Sequence, residues 1–401
     1  MMLHHLLKLI WKRKTRNLML SLEILLAFVI VFAIAAFATY YHRLYQLPVG
    51  FQYQAMWSVT IETRGNGALK SDPQIYDKIR RGLLALPEVE QVGFASFPVY
   101  EMSSITSKFT LPDGSRPLVS SELEVSDDFF AAAGMTLVAG NWFSAADDGA
   151  AATPVVINRS LAAHLFPDGD PVGRRFSEKA HEGKATHLYK VSGVVDEFRN
   201  QGEYMAPVNF MLKRFVPQAV DYGLNAIVLK VKPGTPRAFE STLNRQLKQV
   251  HGDWSYTISP VADLRSAMLR LQLIPLLIMS VIAAFLLLMV GFGLFGVLWQ
   301  HTTQRIPELG LRRAIGASAV DIYRQIVAEQ LLLSTLAMVV ALALLVQLPL
   351  TGALSGMLSW SVFGTATALS MSVIYLLSLL CSLYPGWRAA RLSPTQALHY
   401  E

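Results

Sequence analysis

Four apolar runs, at residues 18–41, 273–299, 326–346 and 362–384, decide most of what this chain can fold into. Each is long enough to cross a hydrocarbon core as a helix, which takes about 20 residues, and none contains lysine or arginine. In lipid, a backbone that satisfies its own hydrogen bonds leaves a helix as the structure for an isolated run. A composition of 52% hydrophobic and 16% charged residues is too apolar for an ordinary soluble protein and agrees with four spans.

The net charge of +6 invites a nucleic-acid partner, but its distribution removes the invitation. Between His42 and Arg270 there are 24 basic and 24 acidic residues, which leaves 11 bases and 5 acids for everything else. Those bases are Lys8, Lys12, Arg13, Lys14 and Arg16 before the first run, Arg305, Arg312, Arg313 and Arg324 between the second and third, and Arg388 and Arg391 after the fourth. The link between the third and fourth runs has none. Lysine and arginine mark the cytoplasmic side, so both termini and residues 305–317 are expected inside and the large segment 42–270 outside. Membrane lipid, not nucleic acid, is the expected charged surface. The single cysteine, Cys381, falls in the fourth run, so the outer segment has no disulfide and must rest on its own core.

Residues 1–17 alternate as an amphipathic surface helix, with Leu3, Leu6, Leu7 and Ile10 against Lys8, Lys12, Arg13 and Lys14. A basic start followed by an apolar run and Ala36-Phe37-Ala38 imitates a signal peptide, but the run exceeds the 7–15 residues of a signal core, so an uncleaved anchor is expected. Glu23 in the first span and Glu329 in the third lie near the cytoplasmic ends; each is either a carboxylate reaching the interface or a functional intramembrane acid.

The outer segment, 42–270, shows two strand–helix–strand patterns, one within residues 50–120 and one within 222–260, suggesting a porter-like α+β layer built from both ends of the segment. Residues 121–210 then form an inserted subdomain of short strands and helices, among them a helix stopped by Gly134 and one capped by Asn158. A stalk helix over 261–272 runs into the second span at 273–299. The expected fold class is therefore membrane α-helical, with four transmembrane helices and a large α+β extracytoplasmic domain between helices 1 and 2. A cytoplasmic segment at 300–322, a short outer loop at 347–361 and a cytoplasmic tail at 385–401 complete the order.

Within the second span Gly291, Gly293 and Gly296 match the dinucleotide-binding pattern G-x-G-x-x-G, yet follow no strand and open no βαβ unit. Close helix packing in lipid explains them better. No phosphate-binding G-x-x-x-x-G-K-[ST] loop, G-x-S-x-G elbow or metal-spaced histidine set is present in the sequence, so no catalytic, cofactor or metal residues are expected on this chain.

Residues 305–317 are a polar island between two spans. At helical spacing Arg305, Glu308 and Arg312 share one face, with Glu308 and Arg312 placed to pair, while Ile306, Leu311, Ala314 and Ile315 share the other. Gly316 ends the helix and Ser318 with Asp321 restarts it as a capping box. Spacing alone leaves open whether this is a surface helix exposing charge to a partner or a solvated loop. In the tail, Pro385-Gly386 is expected to end the fourth span, with Arg388, Arg391 and Pro394 anchoring the last residues at the headgroups or contacting a partner.

Glu308-Leu309-Gly310-Leu311-Arg312-Arg313-Ala314-Ile315-Gly316-Ala317 resembles the E-[IL]-G-L-R-[KR]-A-[IL]-G-A signature of MacB/FtsX-type ABC transporter permeases. Pro385-Gly386-Trp387-Arg388-Ala389-Ala390-Arg391-Leu392-Ser393-Pro394 is similar to that family's ending, and Phe129-Phe130 with Gly140-Asn141-Trp142-Phe143 to its periplasmic core. Gln304 and Pro307 depart from the family's polar helix formers, which could shorten the helix at its start, and Asn141 replaces the usual arginine. The resemblance implies a mechanotransmission permease of the bacterial inner membrane. Such a chain works as a dimer with an identical or paralogous permease, beside a separate cytoplasmic ATPase dimer that carries the ATP and Mg. It implies ATPase coupling through Arg305, Glu308, Gly310, Arg312, Arg313, Gly316 and Ala317. MacB-like systems export amphiphiles through a periplasmic adaptor and an outer-membrane duct, while relatives extract lipoproteins or regulate cell-wall hydrolases. A membrane-anchored periplasmic sensor is the alternative from another class, and it would need no ATPase grip.

Overall fold

The computed structural model describes residues 14–63, 74–109, 118–178, 187–215, 224–354 and 356–391. The surface helix expected before residue 14, and Pro394, lie outside them. Two compact units are present: one of residues 44–273, the other of residues 1–43 with 274–401.

The first unit holds one mixed sheet with strands from both ends of the segment interleaved. From its start come β1 (Met56–Glu62), α2 (Ile75–Leu84) and β2 (Val89–Ala95); from its end come β10 (Ala226–Val231), α5 (Phe239–Val250) and β11 (Ser255–Pro260). β1 is antiparallel to both β10 and β11, and β10 to β2, giving the order β11-β1-β10-β2. Both helices are amphipathic, and Ile75, Ile79 and Leu83 join Phe239, Leu243 and Leu247 over Val59, Ile227 and Leu229 of the sheet. Side chains as large as these each contribute about 1.5–3 kcal/mol on burial.

The middle residues extend the same sheet. β3 (Ile105–Phe109) pairs with β4 (Leu118–Val125), and β4 joins β2 through the single pair Ala95↔Val125. Beyond it lie β9 (Phe210–Arg214), β6 (Thr153–Asn158), β8 (Leu188–Val195) and β5 (Leu137–Gly140), with β7 (Arg175–Ser177) on β8. The parallel pairs β4/β9 and β6/β8 mix with antiparallel neighbours. Asn158 caps α4 (Arg159–Leu165) by accepting from the Leu161 amide at 3.0 Å, and Gly134, with φ 59°, follows α3 (Phe129–Ala132).

The second unit is helical. It contains most of α1 (Lys14–Gln46), the later part of α6 (Val261–Thr303), and α7 (Ile306–Ala314), α8 (Ala319–Leu345), α9 (Gln347–Thr351) and α10 (Trp360–Arg391). Among the described residues, four helices have the length and composition to cross a membrane. Ile24, Phe28, Leu294, Leu298, Met338 and Ile374 form their shared core. Ser334 and Ser378 meet at 2.8 Å and Thr335 and Tyr375 at 2.9 Å between α8 and α10, the small-residue and hydroxyl contacts that hold helices together in lipid. α6 has 43 residues, about 65 Å at 1.5 Å per residue, twice a hydrocarbon core.

One boundary differs from the sequence expectation. Pro385-Gly386 does not end the fourth span, because α10 runs on to Arg391. A proline inside a helix removes one backbone hydrogen bond, and side chains of α6 and α8 pack around this point. Gly386 lies against the Tyr323 ring, while Tyr384 stacks on Trp299 with centroids 5.6 Å apart.

Candidate coupling site

α7 follows α6 after only Gln304 and Arg305, and Pro307 stands in its first turn, where the missing amide hydrogen costs nothing. The departures at Gln304 and Pro307 therefore do not prevent a nine-residue helix. Gly316, with φ 109°, ends the polar segment, and Ser318 with Asp321 forms the capping box of α8.

The charged face of α7 closes into a ring with α8. Arg305 donates to Glu329 at 2.6 Å and to Glu308 at 3.3 Å, and Arg312 donates to Glu308 at 2.8 Å and to Gln325 at 2.6 Å. Gln325 completes it by donating to Glu329 at 2.8 Å. Two arginines and two glutamates balance, and every member has two partners. Burial works against the Arg305 charge, but Glu329 and Glu308 outweigh it and hold the guanidinium above its ordinary pKa. Arg305 is 6% exposed, so loss of Glu329 would leave a buried cation with Glu308 at 3.3 Å as its remaining carboxylate in the ring.

The charged face is engaged in part by α8: Glu329 brings the counter-charge that the buried Arg305 guanidinium needs and Gln325 an amide acceptor for Arg312, while Glu308 and Arg312 stay partly exposed. The apolar residues divide: Ile306 is buried, while Leu311 is 54% and Ile315 78% exposed. Gly310 and Arg313 lie within α7, and Ala317 donates its amide to Arg312 at 3.0 Å. Glu329 is thus the anion of the Arg305 pair.

The other expected positions fall elsewhere in the same unit. Arg388 lies over the Trp299 ring at 4.4 Å, and Arg391 is the last residue of α10. Of the three glycines, Gly293 is the one against which a carboxylate, that of Glu23 on α1, is packed; Gly291 meets Leu377 at ordinary contact distance and Gly296 has no neighbour within 4 Å of its Cβ position.

A second cluster was not foreseen from the sequence. In the sheet-bearing unit, fully buried Arg199 donates to the carbonyls of Leu44, Leu47, Pro48, Glu203 and Met205. The first three are at the end of α1, where helix carbonyls lack internal partners and a cation is favoured. Burial pushes the Arg199 pKa below its ordinary value, with Glu203 and Glu197 opposing. Glu203 also pairs with Arg265, in the first turns of α6, and Arg265 reaches the Tyr45 hydroxyl at 3.4 Å. The turn from Arg199 to Met205 therefore holds the end of α1 and the start of α6 together. Gly50, with φ 91°, allows this approach, since a Cβ there would overlap the Glu197 carbonyl.

Family models match this chain twice: the MacB-like periplasmic core domain over residues 22–245 and the FtsX-like permease C-terminal domain over 280–394. The chain belongs to the MacB/FtsX-type permease family. It is 24% identical over 404 residues to the macrolide export ATP-binding/permease protein MacB of Agrobacterium fabrum, covering 97% of this chain and 59% of that protein. With MacB of Escherichia coli K12 it shares 28% over 292 residues, 69% of this chain and 43% of that one. The periplasmic region of MacB from Actinobacillus actinomycetemcomitans aligns at 13% identity and a TM-score of 0.38, covering 56% of this chain and 97% of that one. The chain spans about half the length of the curated relatives it matches. In this MacB/FtsX-type permease, four apolar helices accompany a periplasmic-type domain, as in an inner-membrane protein. Arg199 and Glu203 carried no motif that could have announced them; only a lone arginine four residues before a glutamate was visible.

Proposed function

We propose that this chain is the permease subunit of an ABC exporter whose ATP- and Mg-binding subunits form a separate cytoplasmic dimer docked on α7. The observation that carries the reading is the closed ring of Arg305, Glu329, Gln325, Arg312 and Glu308, which pins α7 to α8 and leaves Leu311 and Ile315 outward. Leu311 on this short helix and Ile315 just after it give a partner two apolar side chains to bury, and the ring gives it something stiff to push. The 43 residues of α6 and the Arg199–Glu203–Arg265 grip supply the route outward. Positive-inside asymmetry favours cytoplasmic termini and a periplasmic sheet domain.

The second span leaves Leu277, Val281, Phe285, Leu288 and Phe292 exposed in a single chain, which supports a second permease copy, or lipid, along that helix. Export of an antibiotic, peptide or similar amphiphile widens the macrolide export that the names of the MacB relatives print, and a periplasmic adaptor and outer-membrane duct are what the resemblance to MacB-like systems implies. Leu311→Asp and Ile315→Asp are expected to abolish ATP turnover linked to transport while leaving membrane insertion and thermal stability intact. Unchanged turnover in reconstituted complexes, with both variants present in the membrane, would remove α7 as the docking helix.

A further inference from the structure

A cavity of about 80 Å³ opens between the ends of α6 and α10 and the start of α7, lined by Trp299, Thr302, Ile306 and Arg388 among others. A cavity needs about 10–15 Å³ on this measure to hold one water, so there is room for several waters or one phosphate group. Two of its polar groups are available to a ligand. Thr302 is 9% exposed, and its hydroxyl makes no hydrogen bond to a described residue. Arg388 holds its guanidinium carbon over the Trp299 ring, 4.4 Å from the centroid, and has no carboxylate partner among the described residues. A cation over a ring face is held by the ring quadrupole, which consumes none of the donor capacity that a guanidinium offers to phosphate oxygens.

The end of α6 would oppose an anion if its carbonyls were bare, but they are largely occupied. Thr303 Oγ1 donates to Trp299 O at 2.9 Å, Gln304 N to Gln300 O at 3.0 Å, and Arg305 N to Thr302 O at 3.1 Å. The surroundings are those of a membrane interface: Tyr384 stacks on Trp299 and Trp387 on Tyr384, and both are half exposed. Phe292, Leu380 and Leu383 beside them leave apolar surface for acyl chains.

We propose that this cavity binds a phosphate group, Arg388 supplying the charge and Thr302 a hydroxyl donor, and that the group belongs to an anionic phospholipid. Because Ile306 of α7 lines the same cavity, an occupied site rests directly against the start of the coupling helix.

The test is native mass spectrometry of the full chain after equilibration with phosphatidylcholine vesicles with and without phosphatidylglycerol, and with inorganic phosphate as a separate arm. Arg388→Gln is expected to weaken phosphatidylglycerol retention about fivefold, the effect of one basic side chain at an anionic surface, and Thr302→Val by less. Arg324→Gln, which changes an exposed arginine of α8 outside the cavity, should leave retention unchanged. Competition by inorganic phosphate in phosphatidylcholine would keep the phosphate site and overturn the lipid as its source. Equal loss with Arg324→Gln, or full retention by both cavity variants, would overturn the site. Thr302→Val keeps the side-chain volume, so it answers the question if Arg388→Gln disturbs folding.

Discussion

Individual charges in this protein are decided by what burial leaves them beside. Arg199 is fully buried yet donates to five carbonyls, so its cost of desolvation is offset by hydrogen bonds to the end of α1, to the residues after it and to its own turn. Arg214 shows the alternative, a guanidinium 6% exposed that binds Asp127 at 2.7 Å and Asp148 at 2.7 Å and is raised above its ordinary pKa, mainly by the Asp127 contact. Glu122 is less well compensated. Burial raises its pKa, the Ser107 hydroxyl and Lys213 oppose this, and Glu178 and Glu124 add to it. A carboxyl whose folded pKa is raised stabilises the fold when protonated; that contribution is full below the unfolded value and is lost as pH rises through the folded one. Glu122→Gln is therefore expected to raise the melting temperature in mildly alkaline buffer and to leave it unchanged in acid, with Lys213 still held by Glu124 at 3.1 Å. A variant no more stable than the parent in alkaline buffer would contradict this.

At the scale of elements, close approach and charge placement set which helices are fixed to which. Gly293 admits the Glu23 carboxylate where α1 crosses α6, whereas Gly296 faces open space in the single chain. Gly293→Leu should lower the melting temperature of the detergent-solubilised protein, Gly296→Leu should not, and Glu23→Ala should relieve much of the Gly293→Leu loss. Additive losses in that double variant would mean the two residues do not share a contact. The ring between α7 and α8 was legible only in part. Glu308 and Arg312 four residues apart announce a pair on one helix, but Gln325 and Glu329 belong to another helix, and no spacing rule joins residues 305 and 329. Pro385 misled for the same reason: the rule that proline ends a helix is local, and the Tyr323, Tyr384 and Trp299 contacts that carry α10 through it are not.

For the molecule as a whole, the turn from Arg199 to Met205 is where the sheet domain holds both helices that lead to it. On the proposed mechanism, Glu203→Gln should keep ATP turnover in the partner complex and lose export, because Arg265 loses its counter-charge while α7 is untouched. Export at parental rate would show that the grip does not transmit force. Orientation has its own test: in a Cys381→Ser background, Lys232→Cys should react with an impermeant thiol reagent added outside and Val320→Cys should not, the reverse labelling overturning the topology. The apolar runs by themselves determined four crossings and an intervening domain, because hydrocarbon thickness and the backbone's need for hydrogen bonds leave a long apolar run few choices. Alternation and capping residues such as Asn158 and Ser318 likewise determined local elements, since strand period and helix ends are short-range properties. Tertiary structure alone decided that the middle strands continue one sheet through Ala95↔Val125, that Arg305 turns inward and Leu311 outward, and that Arg199 closes on the end of α1. Each of these depends on groups far apart in the chain meeting in a buried place, where an unpaired charge or amide would cost more than a marginally stable fold tolerates.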